Sequence, residues 1–521
     1  MSEPSRPAGV AFEVDGRAVT VPDDGGTLLD ALRERLGVRS PKDGCSPQGQ
    51  CGCCTVLVDG SPRVACVTPV RRVAGRRVTT ADGLDPAERD RWAAAFVATG
   101  ASQCGFCTPG IVVRLAGMAP ATEAAAERAL AAHLCRCTGW RTILDAWSLA
   151  AGAAPVDLGG RDLDAAARRA TVEGGSPQRV GADVALGRAG FADDTAPPGA
   201  LVAVPDGAGG WAVGESLAEA RALAGKIQGR RTTVEPRPPL DLPPGDWDLT
   251  LRTTWVEPAY LETDASWCEP GGEPASPLAN GGAFGGKLGS PAGAAARRLA
   301  DDHGRPVRVL LSREDTVRLG PKRPPVAAGV RRDGTGVLRA VRTPGIAAAV
   351  ASVAPGLAVE EVDVAGPPTS AAVRAAGWAE AAVLLAAVRG EAAVVAPGGG
   401  RAEAEVRGGR VRVVVDAGDP LDEVVLRSYA VGAAHMAIGW VTSEGIAVDE
   451  DGRVHDLTIR SFGILRAMDT PPVDVEVVPG DGPAVNGSDA VFAAVAAAVW
   501  MEQGCPPEWP TGARVRGGTR A

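Results

Sequence analysis

The sequence predicts an α+β multidomain fold, and three observations carry that reading. Alternating apolar runs closed by Asp-Gly turns open the chain, helical patterns with clear caps fill residues 85–150, and beyond Ala150 the composition shifts to Gly, Pro and Ala with scattered charge. The length of 521 residues gives a prior of about three or four domains. Nine of the eleven cysteines fall between Cys45 and Cys137. The first residues lack the basic start and apolar run of an export signal, so reduced thiols and a cytoplasmic location are expected. The longest apolar stretch, residues 490–501, is well short of the roughly 20 residues that span a bilayer, so no membrane partner is expected. A formal charge of −9 gives no reason to expect nucleic acid.

Residues 8–84 form the first predicted domain. VAFEVDGRAVTV reads as a hairpin around Asp15-Gly16, the strongest short hairpin signal available. Thr27 is the N-cap of a helix whose Leu28, Leu29, Leu32 and Leu36 make one apolar stripe, with Gly37 as its stop. A Gly-rich cysteine loop then leads into a strand at 55–58, an Asp59-Gly60 turn and a returning strand at 63–67. This order resembles the β-grasp of plant-type ferredoxins. A [2Fe–2S] cluster takes four thiolates, and backbone N–H groups turned toward its sulfides stabilise the negative charge. Cys45, Cys51, Cys54 and Cys66 are assigned as the ligands, with Gly44, Gly49 and Gly52 freeing the loop to turn. Five residues separate Cys45 from Cys51, where the plant-type pattern has four, and Cys53 is an extra thiol that is either a spectator or a competitor for the third position. A zinc knot and a redox-active dithiol are the alternatives.

Residues 85–150 form the second predicted domain. Asp85-Pro86 caps and starts a helix that carries Trp92 and Phe96 and stops at Gly100. CGFCTPG places Cys104 and Cys107 before Thr108-Pro109, read as a second cap and first-turn proline at a helix N-terminus. A third helix over 123–133 runs into LCRCTGW, with Cys135 and Cys137, and a fourth begins near Trp140. The pairs CxxC and CxC alone would also suit zinc. In this order after a ferredoxin-like unit, they resemble the iron–sulfur part of the molybdenum hydroxylases, the family of xanthine dehydrogenase and aldehyde oxidoreductase. That resemblance implies a four-helix domain in which Cys104, Cys107, Cys135 and Cys137 hold a second [2Fe–2S] cluster. It leaves His133 as a packing or capping residue.

Residues 151–178 read as a linker. Residues 179–345 resemble the family's molybdopterin-binding subunit: VGADVALGRAGFADDTAPPGALVAV resembles its opening, TWVEPAYLETDAS a later strand, and GGAFGGK its glycine-rich cofactor loop. Ser312 and Asp315 offer a capping box. The loop also satisfies GxxxxGK but has Leu288 where a phosphate loop needs Ser or Thr. As the family's loop, Phe284, Gly285 and Gly286 would approach a molybdopterin, with a Gly-rich turn against a sheet as the plain alternative. Residues 346–521 resemble a degenerate end of the same subunit. The family's catalytic glutamate sits in a Gly-Glu-Pro turn before an alanine-rich helix, and here the stretch is Gly487-Ser488-Asp489. Ser488 cannot act as that base, which leaves Asp489 as the candidate carboxylate.

The resemblance implies two [2Fe–2S] clusters, with molybdopterin as a candidate third cofactor in a shortened subunit. The function expected is an iron–sulfur electron-transfer component passing electrons between a molybdenum site and an external acceptor. Its partners would be a full molybdenum catalytic subunit, a flavoprotein subunit, or both. A self-contained hydroxylase acting on an aldehyde or N-heterocycle and a non-enzymatic zinc or scaffold protein are the alternatives.

Overall fold

The computed structural model describes residues 9–152, 156–225, 234–276 and 282–515. The first unit is a five-stranded sheet in the spatial order Arg17–Pro22, Gly9–Val14, Arg77–Thr79, Thr55–Val58, Ser61–Val64. Asp15 and Gly16 at φ 49° and 80°, and Asp59 and Gly60 at 49° and 77°, make the two expected tight turns. Thr27 and Asp30 form a reciprocal capping box on the helix Leu28–Asp30, which continues as a π-helical turn over Ala31–Arg35. Leu28, Leu29 and Leu32 are buried beneath the sheet. The result is a β-grasp closed by its central strand, which runs parallel to Gly9–Val14 and antiparallel to Thr55–Val58.

Four α-helices follow, Pro86–Thr99, Thr108–Met118, Glu123–Ala129 and Arg141–Ala151. Asp85 accepts from the N–H groups of Ala87 and Glu88, and Gly100 ends the first helix at φ 65°. One expected cap differs: Cys107 occupies the N-cap position, while Thr108 is already helical and its hydroxyl contacts that of Ser102 at 3.2 Å.

The span read as a linker is a correction. It contains the helix Leu163–Gly174, capped by Asp162, with Arg169 and Glu173 buried against the C-terminal region. Polar and small residues gave it a linker's composition, yet Arg169 and Glu173 are paired inside the protein. Beyond it lies a sheet ordered Trp211–Gly214, Leu201–Pro205, Val307–Leu310, Ala265–Cys268, covered by the helix Ala292–His303. The expected AYLE strand is also corrected. Between Thr253 and Ala265 the chain makes, among the described residues, a single bridge, Val256 with Arg323. A second sheet runs Leu357–Val362, Gly336–Val341, Val326–Val330, Leu249–Thr253, Glu508–Trp509. Its parallel pairs, Gly336–Val341 with Leu357–Val362 and Leu249–Thr253 with Glu508–Trp509, both span residue 345, so the two regions divided there share one sheet.

The third sheet is ordered Ala393–Val395, Arg401–Arg407, Arg410–Asp416, Val473–Val477. Val411, Val413 and Val415 are fully buried, while Arg410 and Arg412 pair outward with Asp474 and Glu476. Helices Glu423–Thr442 and Ser488–Glu502 lie side by side on this core, with Trp440 stacked on Phe492 at 5.0 Å. Glu423–Thr442 is long and apolar enough to cross a membrane by length and composition, but most of it is buried inside the protein.

Candidate functional site

The first cysteine set is built by the loop between the helix and the strand Thr55–Val58. Ser46 and Gly49 adopt φ 49° and 70°, which lets the five-residue spacing turn back on itself. Cys45 Sγ accepts the N–H groups of Gln48 at 3.3 Å and Gln50 at 3.5 Å, and Cys54 Sγ accepts that of Cys66 at 3.4 Å. The sulfurs of Cys51 and Cys66 both contact that of Cys45, and Cys66 also contacts Cys54. Hydrogen bonds from Cys51 and Cys66 hold Cys45 well below the ordinary thiol range. All four sulfurs are buried. Four buried thiols linked by these contacts, with backbone donors on Cys45 and Cys54, are the donor set a [2Fe–2S] cluster needs.

The second set pairs crosswise. Cys104 and Cys137 sulfurs lie 3.7 Å apart, and Cys107 contacts Cys135, so each pair takes one residue from CxxC and one from CxC. A binuclear cluster asks two thiolates of each iron, and this arrangement offers two pairs. The Cys107 contact, with help from Thr138 at 3.1 Å, brings Cys135 down to about 6.

The two sets meet. The Leu134 N–H donates to the Cys51 carbonyl at 3.0 Å, which joins the loop of the first set to the residue before Cys135. A Cβ on Gly52 would lie 2.5 Å from the His133 ring, and one on Gly110 would lie 2.5 Å from the Gly52 oxygen, so both glycines permit close contact. His133 is a packing residue here. Its Nε2 is 3.1 Å from the Thr55 hydroxyl, and burial pushes its pKa down to about 3.

The second set is also clamped to the rest of the chain. Arg136, between Cys135 and Cys137, pairs with Glu444 through Nη1 at 2.6 Å and Nη2 at 2.8 Å, and its Nε donates to the Pro258 carbonyl at 3.0 Å. A Cβ on Gly432 would collide with the Cys137 carbonyl, so the middle of Glu423–Thr442 is shaped to receive that loop.

The glycine-rich loop reaches the same place. A Cβ on Gly282 would lie 3.1 Å from Cys137 Sγ and 3.4 Å from Cys104 Sγ; Gly281 lies outside the described residues. Next to it is a cavity of about 180 Å³ lined in part by Glu173, Phe284, Gly285, Lys287, Arg374 and Asp489. The structure therefore brings Phe284, Gly285 and Asp489 together, but Gly286 does not line the cavity. The Gly286 N–H is spent on the Ala283 carbonyl at 3.0 Å, and the missing Cβ of Gly285 faces the Ala372 carbonyl. These two glycines serve chain packing. Lys287 is held by Glu262 at 2.9 Å, whose carboxyl is pushed up to about 7 by burial, and is not free as a phosphate-binding lysine. Asp489 stands 3.1 Å from Arg374 Nε, and burial raises its carboxyl pKa. The turn of the expected base is occupied from outside: Glu173 accepts the N–H groups of Gly487 at 3.1 Å and Ser488 at 2.9 Å and pairs with Arg169 at 3.0 Å.

Pockets that enclose drug-sized ligands or cofactors run to about 300–1,000 Å³. At about 180 Å³ this cavity does not fit a whole molybdopterin. Sequence reasoning missed Arg136, Arg169, Glu173, Arg374 and Glu444. Their only signal was charge inside otherwise small or apolar stretches.

Three family models match the chain. Residues 12–71 match the 2Fe-2S iron-sulfur cluster binding domain, residues 80–148 the [2Fe-2S] binding domain, and residues 401–471 the molybdopterin cofactor-binding domain. The xanthine dehydrogenase iron-sulfur-binding subunit of Escherichia coli O157:H7 is 37% identical over 127 residues, 23% of this chain and 79% of that one. The nicotine 6-hydroxylase small subunit of Paenarthrobacter nicotinovorans is 38% identical over 149 residues, 27% of this chain and 89% of that one. The match spans only 11% of the xanthine dehydrogenase of Blastobotrys adeninivorans and 14% of the aldehyde oxidoreductase of Megalodesulfovibrio gigas. Across the fold, the aldehyde oxidoreductase from Desulfovibrio gigas superposes with a TM-score of 0.70 at 16% identity, covering 94% of this chain and 97% of that one.

Proposed function

This chain belongs to the xanthine dehydrogenase and aldehyde oxidoreductase family, and on that premise we propose that it is an iron–sulfur electron-transfer component passing electrons between a molybdenum site and an external acceptor. Cys45, Cys51, Cys54 and Cys66 hold the first [2Fe–2S] cluster, and Cys104, Cys107, Cys135 and Cys137 the second. The observation that carries the reading is the direct contact of the two sets, through the Leu134 N–H and the Cys51 carbonyl at 3.0 Å. Two redox centres on loops joined by one hydrogen bond form a short, rigid route for an electron. The small volume of the cavity next to Gly282, about 180 Å³, supports a molybdenum site on a separate catalytic subunit, and a flavoprotein is a fitting acceptor.

A self-contained hydroxylase is the second reading, favoured by Phe284, Gly285 and Asp489 meeting next to the second cysteine set. Against it stand the size of the cavity, the Arg374 partner of Asp489, and the full engagement of Glu173. Anaerobic purification with measurement of iron, labile sulfide, molybdenum and zinc separates the readings. About four irons per chain without molybdenum is the expected result. Stoichiometric molybdenum would favour the hydroxylase, and zinc without iron would overturn both.

A further inference from the structure

Cys53 has no counterpart in the four-thiol pattern of the first set, and that set closes without it through the contacts Cys51–Cys45, Cys45–Cys66 and Cys66–Cys54. It is nonetheless fully buried, with Sγ against the Cys51 sulfur and 3.9 Å from the Cys51 carbonyl oxygen. A Cβ on Gly44 would meet Cys51 Sγ and Cys53 Sγ at 3.2 Å each, so the two sulfurs lie side by side against the loop backbone. Cys53 is also within electrostatic reach of Cys107 and Cys135 of the second set.

We propose that Cys53 is a positioning residue that donates its S–H to the Cys51 sulfur and thereby raises the reduction potential of the first cluster. The proposal rests on the reading that Cys51 is an iron ligand. A bound Cys51 is a thiolate and carries no proton to give, whereas an unbound, buried Cys53 keeps its own. Its single proton then has two acceptors within reach, the Cys51 carbonyl at 3.9 Å and the Cys51 sulfur, and the charged thiolate is the stronger. A hydrogen bond to a ligand sulfur stabilises the reduced cluster, which carries one more negative charge, more than the oxidised one. A higher potential at the first cluster favours the step in which one electron leaves the reduced second cluster and reduces the first. No bond forms or breaks in that step, and the thiol proton stays on Cys53.

The test uses the whole chain, purified anaerobically, as wild type, Cys53→Ala and Cys53→Ser. Iron and sulfide are measured first, and the midpoint potential of each cluster is then read by EPR-monitored titration. Both variants are expected to keep the wild-type iron and sulfide. Cys53→Ala is expected to lower the first midpoint so that its reduced-to-oxidised ratio at fixed potential falls about tenfold, about 59 mV for one electron, with the second midpoint unmoved. Cys53→Ser keeps a donor and is expected to return most of that shift. An unchanged first midpoint in Cys53→Ala, or a Cys53→Ser midpoint equal to that of Cys53→Ala, overturns the proposal. Loss of about half the iron in Cys53→Ala would make Cys53 a ligand and overturn it too. If Cys53→Ala fails to assemble, the serine variant decides alone, since a midpoint about 59 mV below wild type refutes the donor role. Wild-type protein without iron would instead defeat the ligand reading beneath it.

Discussion

Glu444→Ala removes the partner of a charge placed between two cluster cysteines. The Arg136 and Glu444 side chains are 4% and 2% exposed, and they share two hydrogen bonds of 2.6 and 2.8 Å. After the substitution the guanidinium retains only its 3.0 Å bond to the Pro258 carbonyl. Leaving one member of a buried pair uncompensated costs about 3–5 kcal/mol. At about 1.36 kcal/mol per decade, this multiplies the population of molecules with the Cys135–Cys137 loop opened by a factor on the order of 100 to 1,000 or more. A chain with several units does not unfold in one step, so a local assay suits the question better than a global free energy. Iron release to a chelator, followed cluster by cluster by EPR, is that assay. The second cluster should be lost at least about 100-fold faster than in wild type while the first remains, and added salt should change the result little because the pair is shielded from solvent. The double variant Arg136→Met, Glu444→Met should recover much of the loss, since an apolar pair of similar volume carries no buried charge. Release within about threefold of wild type, or equal loss from both clusters, would refute the reasoning.

Cys137→Ser should abolish the second cluster's EPR signal and remove about half the iron while leaving the first signal in place. Gly432→Ala should lower the melting temperature and second-cluster occupancy, although alanine is the better helix former by about 1 kcal/mol, because the new methyl meets the Cys137 carbonyl. A rise in melting temperature would show that this close approach does not constrain the helix. His435 is buried, has its Nε2 3.1 Å from the Leu465 carbonyl, and is pushed down to about 4 by burial. The unfolded chain takes up that proton near pH 6.5, so between pH 6.5 and 4 it binds more protons than the folded chain. Stability should therefore fall with acidification across that window, by on the order of 3 kcal/mol from this residue. Urea midpoints from pH 7 to 4 should fall less steeply in His435→Gln, and identical slopes would refute the assignment.

Local chemistry made the first third of the chain legible. Asp-Gly turns, the Thr27 cap, the Asp85-Pro86 start and the cysteine strings each specify backbone geometry within a few residues, and the structure places them as read apart from the shifted cap at Cys107. The region beyond Ala150 was read less well. Arg169 and Glu173 look like linker charges until the C-terminal turn at Gly487 supplies their partners. The AYLE segment has strand composition but pairs with no strand among the described residues, and sheet pairing across residue 345 joins segments that composition separates.

The sequence by itself determined which thiols are available and that they come in two sets on two small domains, because cysteine spacing and capping act over a few residues. Only the tertiary structure decided how those thiols pair, that Gly286 serves packing, and that Asp489 is bound to Arg374. Those outcomes depend on contacts between residues tens to hundreds of positions apart, and no local pattern records which backbone will arrive opposite a given side chain.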